Sequence, residues 1–179
     1  IVPVANEPLR DAGSYGDDRL FVYMRLQADR NGASDAFVEE VESAGHPVIR
    51  LALRDRYDLG AEFFRWEFAT AVAGALLEIN PFDQPNVQAA KDMTDSVLGE
   101  FESSGKLAPM EDSASLGKLL TEARRGDYLA IMAYVEETPR VDQALEVLRR
   151  RVMERHGIAT TTGYGPRFLH STGQLHKGG

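Results

Sequence analysis

Hydrophobic positions recur along the chain with two periods, and each period marks its own elements. Leu20-Phe21-Val22-Tyr23-Met24-Arg25-Leu26 and Pro47-Val48-Ile49-Arg50-Leu51-Ala52-Leu53 are short runs rich in aromatic and β-branched types, the signature of buried strands. Between them, Phe37, Val38 and Val41 follow the N-cap candidate Ser34 and precede Gly45, which predicts a short helix. Strand, helix and strand in that order predict a right-handed parallel crossover. From Asp58, a second N-cap candidate, Leu59, Phe63, Trp66, Ala69, Val72, Ala73, Leu76 and Leu77 keep helical spacing. Polar residues are almost absent beyond Phe68, so this helix is expected to lie buried between layers.

The break Asn80-Pro81-Phe82-Asp83-Gln84-Pro85 starts another helix, with Pro85 at its first position and an end near Ser103. Ser104 to Ser115, with Gly105, Pro109, Glu111 and Asp112, reads as a linker. Beyond it the pattern predicts a helix over 116–124, a strand over 128–135, an amphipathic helix over 141–155 stopped by Gly157, and a strand over 158–162. The extended segment before Leu20, with Pro3, Pro8, Gly13 and Gly16, suits a lead-in that docks on something else. No internal repeat is visible. Ile1 in place of Met, and a Gly178-Gly179 end with no element after it, suggest a fragment of a longer polypeptide.

Composition narrows the function classes. The 179 residues carry 20 Lys plus Arg against 28 Asp plus Glu, a formal charge of −8, with 43% hydrophobic and 27% charged positions. That is a globular composition, long enough for a real core. An acidic chain without a block of cations argues against nucleic-acid binding, which needs clustered Lys and Arg to displace counterions. Zero cysteines exclude a disulfide framework, a thiolate metal site and a cysteine nucleophile. The longest apolar run, Ala71 to Leu77, is far short of the roughly 20 residues that span a bilayer, and a cytoplasmic setting without membrane contact is expected.

Two constellations carry candidate chemistry. On the helix opened by Pro85, the apolar stripe Val87, Ala90, Thr94, Val97, Leu98 and Phe101 includes Lys91, seven residues after Gln84. Two turns separate them, so amide and ammonium share one face near a helix start. There the helix dipole and partial burial would both lower the lysine pKa, and backbone donors would favour an anion such as a sugar phosphate. The alternative is a lysine whose stem lies on the core while its ammonium reaches solvent.

The second constellation is the tail Gly165-Pro166-Arg167-Phe168-Leu169-His170-Ser171-Thr172-Gly173-Gln174-Leu175-His176-Lys177, directly after a predicted strand. Arg167, Ser171, Thr172 and Lys177 are phosphate-contact types and His170 is a proton-transfer type. His170 and His176, six apart, point to different helical faces, so no zinc pair is expected. A solvated loop is the competing reading. His46 is read as a turn residue, His156 as a dipole partner at a helix end, and Arg149-Arg150-Arg151 as a solvated face with Glu146 and Glu154. Neither a Walker loop nor a G-x-G-x-x-G fingerprint occurs.

At Leu59-Gly60-Ala61-Glu62 through Ile79-Asn80-Pro81-Phe82-Asp83-Gln84-Pro85-Asn86-Val87 and on to Lys91, the chain resembles the phosphoglucose (glucose-6-phosphate) isomerase family. The elements of the likeness are a long helix, an N-x-F-D-Q turn, and a lysine seven residues past the glutamine. The tail from Gly165 to Gly179 resembles more specifically the bifunctional transaldolase/phosphoglucose isomerase fusion, and Ile1-Val2-Pro3-Val4 resembles the stretch just beyond the family's catalytic glutamate.

The resemblance implies an α/β fold, a three-layer α/β/α sandwich around a parallel sheet of the sugar isomerase type. Residues 1–105 would be part of the second sugar isomerase subdomain and 106–179 a C-terminal α/β extension. It implies interconversion of glucose 6-phosphate and fructose 6-phosphate through ring opening and a cis-enediol, without cofactor or metal. Lys91 matches the active-site lysine and Gln84 a substrate-side glutamine. His170 is assigned to ring opening, and Arg167, Ser171, Thr172 and Lys177 to substrate binding, although the family's histidine precedes its lysine in sequence and His170 follows Lys91. The family's base glutamate would lie upstream of Ile1, so the fragment alone is expected to be inactive. The implied partners are a sugar phosphate, the N-terminal isomerase half, a transaldolase domain and, as one assembly, a homodimer. A non-catalytic sugar-phosphate sensor of the same fold is the alternative.

Overall fold

A computed structural model describes residues 2–30, 32–107 and 115–177, and the side chains of Leu169 and Lys177 are not among those described. The chain divides into two compact units. One is Arg10–Asp83, and the other is formed by the described residues of 1–9 and 84–179.

The first unit is a strand, helix, strand crossover. β1 (Phe21–Leu26), α1 (Gly32–Ser43) and β2 (Val48–Leu53) follow the hydrophobic runs. The strands pair in parallel from Phe21 opposite Val48 to Leu26 opposite Leu53. Because side chains alternate across a strand, Phe21, Tyr23 and Arg25 face α1 while Val22, Met24 and Leu26 lie on the other side. Phe21 meets Phe37 edge to face at 6.0 Å between centroids, and Asp35 binds both Tyr23 (2.8 Å) and Arg25 (2.9 Å). Val38 and Val41 are buried beneath α1. A short 3-10 turn, Ala12–Ser14, closes this side: the Ala12 N–H donates to Glu40 (3.2 Å), and His46 Nε2 lies 3.1 Å from the Ala12 carbonyl. His46 therefore does more than turn the chain, since its ring also meets Phe21 and Tyr15.

Ser34 is not the N-cap of α1, because the helix already begins at Gly32. Asp58 is likewise the first helical residue of α2 (Asp58–Leu77), whose N-cap is Tyr57. Its carboxylate instead accepts the Arg54 backbone N–H (2.8 Å) and the Arg54 guanidinium (2.6 and 2.9 Å), which holds the Asp58 pKa down at about 2. The burial expected for α2 is not observed. Only Glu62 and Gly74 are buried, while Phe63 is 63% exposed and Leu76 80% exposed. A helix apolar nearly all round needs cover on several sides, and a two-stranded sheet is too small to provide it.

In the second unit α3 (Pro85–Ser104) starts with Pro85 and closes on left-handed Gly105, whose N–H donates to the Phe101 carbonyl. Residues 108–114 of the expected linker lie outside the described residues. Ser115 caps α4 (Leu116–Glu122) by accepting the Lys118 N–H. β3 (Tyr128–Ala133), α5 (Pro139–His156) and β4 (Ala159–Tyr164) form a second crossover, parallel from Tyr128 opposite Ala159 to Ala133 opposite Tyr164. Thr138 caps α5 through the Val141 N–H, and Gly157 at φ 67° ends it. The core is Val152 and Met153 of α5 with Ile158, Ala159, Thr160 and Thr161.

The α/β class with parallel strands is thus observed. Among the described residues the strands make two two-stranded sheets, one in each unit. No helix among the described residues is long and apolar enough to cross a membrane.

Candidate functional site

The second unit holds both constellations. The chain leaves β4 through Gly165, whose N–H donates to the Ala133 carbonyl at 2.8 Å and extends the ladder by one bond. The Phe168 ring then lies against Gly163, and the Tyr134 ring against Gly165, so tightly that a Cβ at either glycine would collide with the ring. Short helix α6 (Leu169–Thr172) and a 3-10 turn, Leu175–Lys177, follow. At the far end the Tyr128 hydroxyl donates to the Leu175 carbonyl (3.2 Å) and lies 2.9 Å from His176 Nδ1, with the rings 5.8 Å apart.

Gly163 and Tyr128 both belong to the sheet face opposite the one whose Thr160 and Tyr164 meet α5. The tail therefore runs back across the second face of β3 and β4, from the end of β4 to the start of β3. Aromatic content and two glycines make this seat: Gly163 and Gly165 leave room for rings where any side chain would block them.

From that seat Gln174 reaches α3. Its Oε1 accepts the Asn86 backbone N–H at 3.0 Å, a bond between residues 88 positions apart. One hydrogen bond thus joins the helix start that carries Gln84 and Lys91 to the tail that carries Arg167, His170, Ser171, Thr172 and Lys177. Gln84 and Lys91 are both exposed, so the partial burial expected for Lys91 is not observed: Thr94, Val97, Leu98 and Phe101 of its stripe are exposed as well. Arg167 and His170 are also exposed. Ser171 and Thr172 donate their hydroxyls to the Phe168 carbonyl, at 3.0 and 3.4 Å, and each must rotate to donate to a ligand. The Lys177 side chain lies outside the described residues. Burial raises the Tyr128 pKa, which keeps the phenol a donor.

Sequence reasoning missed Gln174, Tyr128 and Arg149. Arg149, expected on a solvated face, is 6% exposed. It donates from Nη1 to the Asn6 carbonyl (2.8 Å), from Nη2 to the Thr160 carbonyl (2.9 Å) and from Nε to Thr160 Oγ1 (3.1 Å). Burial lowers its pKa, opposed by Glu7 and Glu146. The lead-in segment is thereby fastened to β4, and a cleft of about 190 Å3 between Asn6, Pro8, Asp142, Arg149 and Thr162 marks the joint. The signal was available only as a central arginine in a run whose neighbours, Arg150 and Arg151, are exposed.

In the first unit a larger cleft of about 460 Å3 is lined by Tyr23, Arg25, Asp35, Glu39 and Arg50. Its arginines are already matched to carboxylates, Arg25 to Asp35 and Arg50 to Glu42. None of the candidate site residues, from Gln84 and Lys91 to Lys177, is among the residues that line it. Among the described residues no three His, Asp or Glu side chains gather as a metal site would require.

No family model matches the chain, and no solved structure matches it. Curated relatives do. The glucose-6-phosphate isomerase of Rubrobacter xylanophilus is 41% identical over 100 residues, which are 55% of this chain and 22% of the relative. That of Acholeplasma laidlawii is 42% identical over 101 residues, again 55% and 22%, and that of Lactiplantibacillus plantarum is 40% identical over 53 residues, 30% and 12%. In its longer matches the chain spans about a fifth of the length of the curated relatives. Over that stretch it is similar to glucose-6-phosphate isomerases.

Proposed function

We propose that the chain is part of a glucose-6-phosphate isomerase that interconverts glucose 6-phosphate and fructose 6-phosphate, in a cytoplasmic polypeptide that also carries a transaldolase domain. The observation that carries the reading is the similarity of 41% and 42% to isomerases over about 100 residues. The Gln174 to Asn86 bond supports it, because the two polar constellations then serve one site.

In this reading the Lys91 ammonium, with three donors and access to solvent, contacts the sugar oxygens, and the Gln84 amide offers a donor and an acceptor to its hydroxyls. His170 moves the proton in ring opening, while Arg167, Ser171, Thr172 and Lys177 bind the phosphate or its neighbouring hydroxyls. Proton transfer between C1 and C2 through the cis-enediol requires a carboxylate base, which comes from elsewhere in the parent protein. The 179 residues alone are therefore inactive.

The test is coupled interconversion of the two sugar phosphates by the full-length parent, wild type against Lys91→Ala, with melting as a folding control. A folded Lys91→Ala variant is expected to lose at least about 100-fold in kcat. Full activity in that variant removes Lys91 from the chemistry. A parent that binds glucose 6-phosphate without turning it over is a sugar-phosphate sensor.

A further inference from the structure

α3 lacks a local cap. Its N-cap residue is Gln84, whose side chain makes no capping bond, and none of the short polar types that usually fill that position is present. The Asn86 N–H in the first turn is met instead by Gln174, 88 residues away, at 3.0 Å. Gln174 is held in turn by its neighbours. The Leu175 carbonyl and His176 Nδ1 both meet the Tyr128 hydroxyl, and Phe168 seats the start of the tail against Gly163. A glutamine on a free tail would lose side-chain and backbone entropy on capping a helix, whereas one on an anchored tail has already lost it.

The geometry points to Gln174 as a positioning residue for the sugar-phosphate site: it caps α3 from the tail and fixes the turn on which Gln84 meets substrate. This rests on the isomerase reading above. Gln84 immediately precedes the first helical residue, so its direction follows the orientation of the first turn, while Lys91, about two turns further on, sits where intrahelical bonds already hold the backbone. Loss of the Gln174 acceptor should therefore act on substrate binding more than on the chemical step.

The experiment is steady-state interconversion by the full-length parent with Gln174→Leu, Gln174→Glu and Lys91→Ala. Gln174→Leu removes the acceptor at similar size and is expected to raise KM for fructose 6-phosphate about tenfold while kcat changes less than about threefold. Gln174→Glu keeps an acceptor for the Asn86 N–H, but its charge beside the phosphate-binding side chains also acts on KM, so its readout is the cap itself: the Asn86 N–H is expected to exchange as slowly as in wild type in Gln174→Glu and faster in Gln174→Leu. A merely structural role does not predict the split between KM and kcat. Wild-type KM in Gln174→Leu, or an Asn86 N–H that exchanges no faster in Gln174→Leu than in wild type, overturns the assignment while the loss of turnover in Lys91→Ala leaves the isomerase reading standing. Should Gln174→Leu fail to fold, Tyr128→Phe decides, since it frees the anchored tail and keeps the ring: a raised KM supports the assignment and an unchanged one overturns it. No turnover in the parent removes the isomerase reading and this inference with it, whereas undiminished turnover in Lys91→Ala leaves the isomerase reading standing but moves the site off α3 and so overturns this inference.

Discussion

Replacing Arg149 with methionine tests how the lead-in segment is held. The guanidinium is almost wholly enclosed and makes its two shortest bonds to the Asn6 and Thr160 carbonyls, at 2.8 and 2.9 Å. Methionine fills much of the same space but leaves the carbonyl and Oγ1 of fully buried Thr160 facing an apolar side chain, while exposed Asn6 turns its carbonyl to water. A buried acceptor left unpaired costs about 1–3 kcal/mol, so the two on Thr160 cost about 2–6 kcal/mol. The folded state no longer has to desolvate a charge and gains some apolar burial, which offsets about 1–2 kcal/mol. The central values of these two ranges give a net loss of about 2.5 kcal/mol for the chain, read by urea unfolding followed by circular dichroism. Hydrogen exchange should show faster exchange at the Thr160 N–H, which Glu7 accepts at 3.3 Å, as the lead-in segment is released. Arg150, one residue on, is the control. Its bond to Glu146 at 2.9 Å joins two half-exposed side chains, and Arg150→Ala is expected to cost less than about 0.5 kcal/mol. A stability for Arg149→Met within about 0.5 kcal/mol of wild type, with the Thr160 N–H still protected, would refute the clamp.

Tyr164 donates its hydroxyl to Asp142 at 2.6 Å, and that carboxylate pushes the phenol pKa up to about 12 from its ordinary 10.0. The folded state holds this proton more tightly than the unfolded one, so the stabilisation is complete below pH 10 and disappears as the pH rises towards 12. In an ultraviolet titration Asp142→Asn should bring one phenol back towards 10, and an unchanged curve contradicts the pairing. In α2, a Cβ on Gly74 would lie 2.5 Å from Pro81 Cδ and 3.1 Å from the Ile79 carbonyl, against open space at Gly60. Gly74→Ala is expected to destabilise by about 1–3 kcal/mol and Gly60→Ala to stabilise by up to about 1 kcal/mol, and a melt in which both rise together refutes the close contact.

Much of the secondary structure was legible because local rules decide it. Pro85 at the start of α3, Gly105 and Gly157 at helix ends, and the β-branched and aromatic runs of β1 and β2 occupy the places that their backbone preferences dictate. Helix starts were less legible: Ser34 and Asp58 are good cap types, but α1 begins two residues before Ser34, and Asp58 is engaged by Arg54. The polar constellations were legible as residue types at suggestive spacings. Their connection was not, because nothing in the spacing of Asn86 and Gln174 encodes a contact that depends on how the tail crosses the sheet.

By itself, then, the sequence determined one parallel crossover, a second run of strand, helix and strand, the helix that opens at Pro85, an acidic and cysteine-free chemistry, and a likeness to an isomerase motif at Gln84 and Lys91. Only the tertiary structure decided which of three consecutive arginines is buried, that the apolar circumference of α2 stays largely exposed, and that Gln174 caps α3 from the far end of the chain. The physical reason is the range of the forces. Backbone preference and side-chain period act within a few residues, whereas burial and capping from afar depend on which surfaces the rest of the fold brings into reach.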